Sequence, residues 1–118
     1  MKIMITTRGD FVSPRFDMSA EIIIATCHDR QLLEEPHTLV LSNVSAELIC
    51  DLVLKEKIDV VICGGIEEPH YQFLVWKKIT VFDSVIGPHA DVLQLAMDNA
   101  LKPGTILPGV VSREELAQ

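Results

Sequence analysis

The segment Ile58-Asp59-Val60-Val61-Ile62-Cys63-Gly64-Gly65 decides the fold. A continuous β-branched run of this length, cut off by a glycine pair, reads as a strand buried on both faces, the character of a strand inside a parallel sheet. Such a strand needs helices over it. On its N-terminal side the spacing turns helical from Ser45, with Ala46, Ile49, Leu52 and Val53 on one face and Glu47, Asp51, Lys55 and Glu56 on others; Ser42 or Asn43 is the candidate N-cap. On its C-terminal side a second helix is predicted from Pro69, because proline suits the first helical position and Glu67-Glu68 complement the positive end of the dipole. Ile79-Thr80-Val81-Phe82 reads as another strand. Gly87-Pro88 then opens a third helix with Ala90, Leu93, Met97, Ala100 and Leu101 along its inner stripe, stopped by Lys102-Pro103-Gly104.

Working back toward the start, Lys2 to Thr7 is a short apolar strand that runs into a loop, Arg8 to Asp17. Glu21 to Thr26 and Thr38 to Leu41 are two more β-rich runs, close enough across Cys27 to Pro36 for an antiparallel hairpin. The order is βββαβαβα, an α/β class with a five-stranded mixed sheet flanked by helices. Right-handed crossovers make the later strands parallel, and the hairpin supplies the antiparallel part. The expected organisation is one domain over 1–104 and a C-terminal tail over 105–118, in which Ser112 and Glu115 suit one capped turn.

Composition narrows the function. The 118 residues suffice for one buried core without disulfides or a structural metal. A formal net charge of −7 repels polyanions, so nucleic acid is not an expected partner. No run approaches the ~20 apolar residues of a membrane span, and the apolar start ends at Thr6, too soon for a signal peptide. Cys27, Cys50 and Cys63 form no CxxC pair and leave an odd thiol, which fits a reducing, cytoplasmic setting.

In open α/β sheets ligands gather outside the carboxyl ends of the parallel strands. The strand ending at Cys63-Gly64-Gly65 leads to Pro69-His70, and the next leads through Asp83 to Pro88-His89, so each puts a Pro-His pair at a helix start. If the first strand lies parallel beside the Ile58–Cys63 strand, Arg8 and the loop to Arg15 reach the same edge. Helix N-termini attract anions there despite the net charge, with His70 and His89 as proton-dependent donors or metal ligands and Cys63 as a soft thiolate. Against this stands the plain reading of two exposed helix-start histidines and a buried cysteine. Gly64-Gly65 matches neither a dinucleotide fingerprint nor a P-loop and signals close backbone approach. Cys27-His28 and His37 fall around the hairpin, away from this edge, and Cys50 reads as core.

Lys2-Ile3, the loop Val12-Ser13-Pro14-Arg15-Phe16 and then Asp59-Val60-Val61-Ile62-Cys63-Gly64-Gly65-Ile66 together resemble the dinitrogenase iron–molybdenum cofactor biosynthesis family over about residues 1 to 102. The resemblance implies a ribonuclease H-like fold and a carrier or scaffold, not an enzyme. It further implies an anionic metal–sulfur cluster of molybdenum with iron or copper, and cluster donor or acceptor proteins as partners. Arg15 stands where the family commonly has His, and Asp17 where it has Gly, so the first loop offers charge pairing in place of ligation. Two other functions compete. A regulatory module binding a small metabolite or a partner protein would use the same crevice. A metal-dependent nuclease would need carboxylates on the central strands, where Ile3 to Thr7 has none and Cys63-Gly64 ends the other.

Overall fold

The computed structural model describes residues 1–107, so the Ser112 and Glu115 turn lies outside the described residues. Its first strand, β1 (Lys2–Arg8), doubles back at once through Gly9-Asp10 into β2 (Phe11–Val12), pairing Thr7 with Val12 and Arg8 with Phe11. Gly9 takes φ +61°, the first-position conformation that a two-residue hairpin turn asks of glycine. A 3-10 turn (Phe16–Met18) leads to β3 (Glu21–His28), which runs antiparallel to β1 from Lys2↔Thr26 to Thr7↔Glu21. The outer edge of β3 is shared by β4 (Gln31–Leu32) and β5 (His37–Val40).

The parallel half follows through α1 (Ala46–Lys55), β6 (Val60–Ile62), α2 (Glu68–Trp76), β7 (Thr80–Phe82) and α3 (His89–Met97). β6 pairs in parallel with β1 on one side and with β7 on the other, so the five expected strands lie in the order β5-β3-β1-β6-β7. The first strand is therefore central and adjacent to β6, as the site argument required. β2 and β4 are two-residue additions to that sheet, both inside segments expected to be loops.

Strand alternation splits the core into two layers. Ile3, Ile5, Val60 and Ile62 pack with Val92, Leu93, Ala96 and Met97 of α3. Met4, Ile22, Val61 and Cys63 pack on the other face with α1 residues Ile49 and Val53, α2 residue Leu74, and Phe16. Thus α1 and α2 cover one face and α3 the opposite one.

Two helix ends differ from expectation. Ser45, neither Ser42 nor Asn43, caps α1: it is extended (φ −161°, ψ 120°) and its hydroxyl accepts the Leu48 N–H at 3.3 Å. α3 stops at Met97, well before Lys102-Pro103-Gly104, because Asn99 turns left-handed at φ 57° and lets the Ala100 N–H reach the Leu95 carbonyl at 2.9 Å. Lys57 and Lys78 end α1 and α2 in the same way, at φ 55° and 64°. Each helix therefore closes with the 6→1 bond of a Schellman motif, made without glycine. Beyond α3 the expected tail begins by returning to the domain, for Ile106 bridges Ile86 and the Leu107 N–H bonds the Ile86 carbonyl at 3.1 Å.

Candidate functional site

The loop joining β1 to β3 is laid onto the carboxyl end of β6. The Ser13 N–H bonds the Thr6 carbonyl at 2.8 Å, the Gly65 N–H bonds the Pro14 carbonyl at 2.8 Å, and the Phe16 N–H bonds the Gly65 carbonyl at 2.8 Å. Two side chains hold the loop's apex, since the nearly buried hydroxyls of Ser13 and Ser19 both donate to the Arg15 carbonyl, at 3.2 and 2.6 Å. Phe16 then plugs into the core below.

This packing leaves a surface cleft of about 500 Å³ between β1, the loop and the start of β3, lined by Thr7, Arg8, Ser13, Pro14, Arg15, Met18, Ser19 and Ala20. Arg8 and Arg15 thus share one cleft. Arg8 is exposed and has no ion-pair partner among the described residues. Arg15 donates from Nε and Nη2 to the two carboxylate oxygens of Asp17, at 3.1 and 2.7 Å. A planar fork of this kind suits bidentate recognition of an anion.

Of the other candidate residues, Gly64 and Gly65 lie against the loop while Cys63, His70 and His89 lie off the cleft, and the expectation of one crevice is corrected. Gly64 is a close-approach glycine, but what approaches is this chain's own Ser13 and Pro14 backbone. His70 lies on the α2 face with its ring 6.3 Å from that of Phe16, while His89 begins α3 on the opposite face. Neither histidine lines the cleft. Some helix-start amides are engaged within the chain: the His89 N–H goes to the Asp10 carbonyl at 2.9 Å, and the His70 and Tyr71 N–H groups both go to the Glu67 carbonyl at 3.1 Å.

Cys63 is corrected from thiolate to neutral thiol. It is fully buried, and desolvation, followed by the nearby Asp83 charge, pushes its pKa up to about 12. Burial likewise pushes Cys50 up to about 11, with Asp51 and Glu47 adding to the effect. Because these folded values lie above the ordinary 9.0, the unfolded chain loses the protons first as pH rises. The associated stability is intact below pH 9 and is expected to drain away between pH 9 and about 12. Urea midpoints measured across that range should fall less for Cys63→Ala, referred to its own neutral-pH value, than for the parent. An identical alkaline slope in both would rule out this thiol as a contributor.

Sequence reading missed three participants in the loop. Ser13 was legible only as part of the Val12-to-Phe16 motif, and Ser19 carries no signal beyond being small and polar. Asp17 had one, a carboxylate two residues after Arg15, but its meaning depends on the 3-10 turn that folds it back. A second cleft, of about 430 Å³, lies near the end of β3 with Met1, Cys27, His28 and Met97 in its wall, which places Cys27-His28 apart from the loop cleft as expected. Among the described residues no group of three or more His, Cys, Asp or Glu side chains converges.

A family model described as dinitrogenase iron-molybdenum cofactor matches residues 1–99. The chain belongs to that family. No curated protein matches it. Among solved structures similar to this family member, PH0822 superposes with a TM-score of 0.78 at 17% identity, covering 87% of this chain and 94% of that one. The apo form of the orange protein from Desulfovibrio gigas gives 0.70 at 18% identity, with 86% and 91% covered. MJ0327 from Methanocaldococcus jannaschii gives 0.69 at 21%, with 86% and 92% covered. At these identities the structural likeness shows the shared fold. No helix among the described residues is long and apolar enough to cross a membrane.

Proposed function

We propose that the chain is a small, non-enzymatic carrier or scaffold whose cargo is an anionic metal–sulfur cluster of molybdenum with iron or copper, received from and passed to other proteins. The observation that carries this reading is the pairing of Arg8 and Arg15 in one cleft of a molecule whose net charge is −7. Two guanidinium groups lining one cleft put positive charge there, offset at Arg15 by its Asp17 partner, and offer the cargo charge-assisted hydrogen bonds. The residues fit outer charge pairing and do not fit ligation, because Cys63 is buried and protonated and both histidines lie outside the cleft. A carrier benefits from such a hold. Cargo attached without metal–protein bonds leaves without ligand exchange.

The test is anaerobic purification with metal analysis and visible absorption, followed by titration with tetrathiomolybdate. The parent is expected to take up the thioanion with a shift of its absorption bands, and the Arg8→Ala, Arg15→Ala double variant to bind at least about tenfold more weakly, a loss of about 1.4 kcal/mol. His70→Ala and His89→Ala should each stay within roughly twofold of the parent, since neither contributes to the electrostatic hold. A metal-free protein that ignores the thioanion, or a double variant that binds like the parent, would favour a regulatory module for a metabolite or partner protein instead.

A further inference from the structure

Arg15 already holds an anion. Its Nε and Nη2 bind both oxygens of Asp17, the arrangement an incoming anion would itself adopt on the fork. We propose that Asp17, which pairs with Arg15 without itself lining the cleft, is that arginine's built-in counter-anion, released when cargo binds, so that the site retains a compact dianion with terminal oxo or sulfido groups and lets monoanions go. This rests on the reading of the cleft as an anion site and adds the residue that sets its charge threshold.

Three features support it. First, the pair is not needed to hold the loop: the Arg15 main chain is pinned by Ser13 and Ser19, and Phe16 anchors the turn from below. With side-chain exposures of 62% for Arg15 and 23% for Asp17, the pair is solvated enough to contribute little to stability. Second, Asp17 sits two residues from Arg15 within the 3-10 turn, so its carboxylate reaches the fork intramolecularly, at an effective concentration of mM order or above. A monoanion from solution brings no more charge than Asp17 and must compete against that advantage. Third, Arg8 lines the same cleft with no ion-pair partner among the described residues. A dianion engages both arginines together and outbids a single carboxylate.

The probes are molybdate and perrhenate, tetrahedral oxyanions of similar shape with charges of −2 and −1, titrated into the full chain at fixed ionic strength. Amide shifts followed by NMR report where each binds. In the parent, molybdate is expected to perturb residues 13–19, and perrhenate to leave them unmoved at the same concentration. Asp17→Asn keeps the side chain's shape and an acceptor oxygen for Arg15 while removing the charge. It should bind molybdate roughly fivefold more tightly and make perrhenate binding measurable, with a melting temperature within about 2 °C of the parent. Parent-like or weaker molybdate binding by Asp17→Asn, with residues 13–19 still perturbed, would overturn the counter-anion and leave the cleft reading intact. If molybdate and tetrathiomolybdate perturb residues 13–19 in neither protein, the cleft reading itself fails and the counter-anion with it.

Discussion

Gly64→Ala is expected to lower the melting temperature by roughly 10–20 °C, while Gly65→Ala, one residue along, stays near the parent. A Cβ at Gly64 would lie 2.3 Å from the Ser13 carbonyl oxygen, 2.5 Å from that of Pro14 and 2.7 Å from the Pro14 carbonyl carbon. All three atoms are backbone, so no side chain can swing aside. Relief requires lifting the loop off β6. That breaks the Gly65 N–H to Pro14 and Phe16 N–H to Gly65 bonds, each worth about 1 kcal/mol net, on top of an overpacking cost of about 1–3 kcal/mol. At Gly65 the nearest such atom, the Pro14 oxygen, would be 3.5 Å away, an ordinary contact, and the position is exposed. Thermal melts of the two variants side by side test the close approach directly. A Gly64→Ala protein that melts with the parent would mean the loop does not lie on β6 as described.

The glycine pair shows how far the sequence could be read. Its message of close backbone approach was legible, because a Gly-Gly ending an apolar strand has little other use. What approaches was not, since the partner is 50 residues away in the chain. The same divide runs through the fold. β6 was legible from its buried run and α2 from Pro69, whereas β2 and β4 have two residues each and so no period to detect. The end of α3 was hidden because Asn99 does there what glycine usually does.

For the candidate site, the βαβ rule pointed to the carboxyl ends of the parallel strands, and Arg8 and Arg15 do line one cleft at the end of β1. It failed for the histidines for a definite reason. A right-handed crossover fixes the face of a helix only when the helix connects two parallel strands, as α2 connects β6 and β7. α3 follows β7 with no parallel strand after it among the described residues, so its side was left open. Packing decided it: Val92, Leu93, Ala96 and Met97 cover Ile3, Ile5 and Ile62 on the face that α1 and α2 leave bare.

Phe16→Ala is expected to cost about 3–5 kcal/mol and to weaken the cleft with the core, because this ring ties one to the other. Phe16 is fully buried among Met4, Ile22, Ile49 and Leu74, beneath the loop, and its backbone N–H bonds Gly65. Its carbonyl accepts from the Ser19 N–H at 3.3 Å, closing the 3-10 turn that carries Asp17 toward Arg15. Truncation leaves a cavity on the α1 and α2 face, and it removes the contact that holds the turn down and the support given to the His70 ring. Urea unfolding should show a lower midpoint at an unchanged slope, the mark of lost stability without a change in the extent of folding. Phe16→Leu, which fills most of the volume, should lose only about 1–2 kcal/mol and keep parent-like affinity for tetrathiomolybdate. Phe16→Ala, measured at low temperature where circular dichroism shows it still folded, should bind the thioanion several-fold more weakly because Arg15 is no longer held at the cleft wall. A truncated protein that is destabilised yet binds like the parent would show that the two serine hydroxyls hold Arg15 unaided, and that core and cleft are energetically separate.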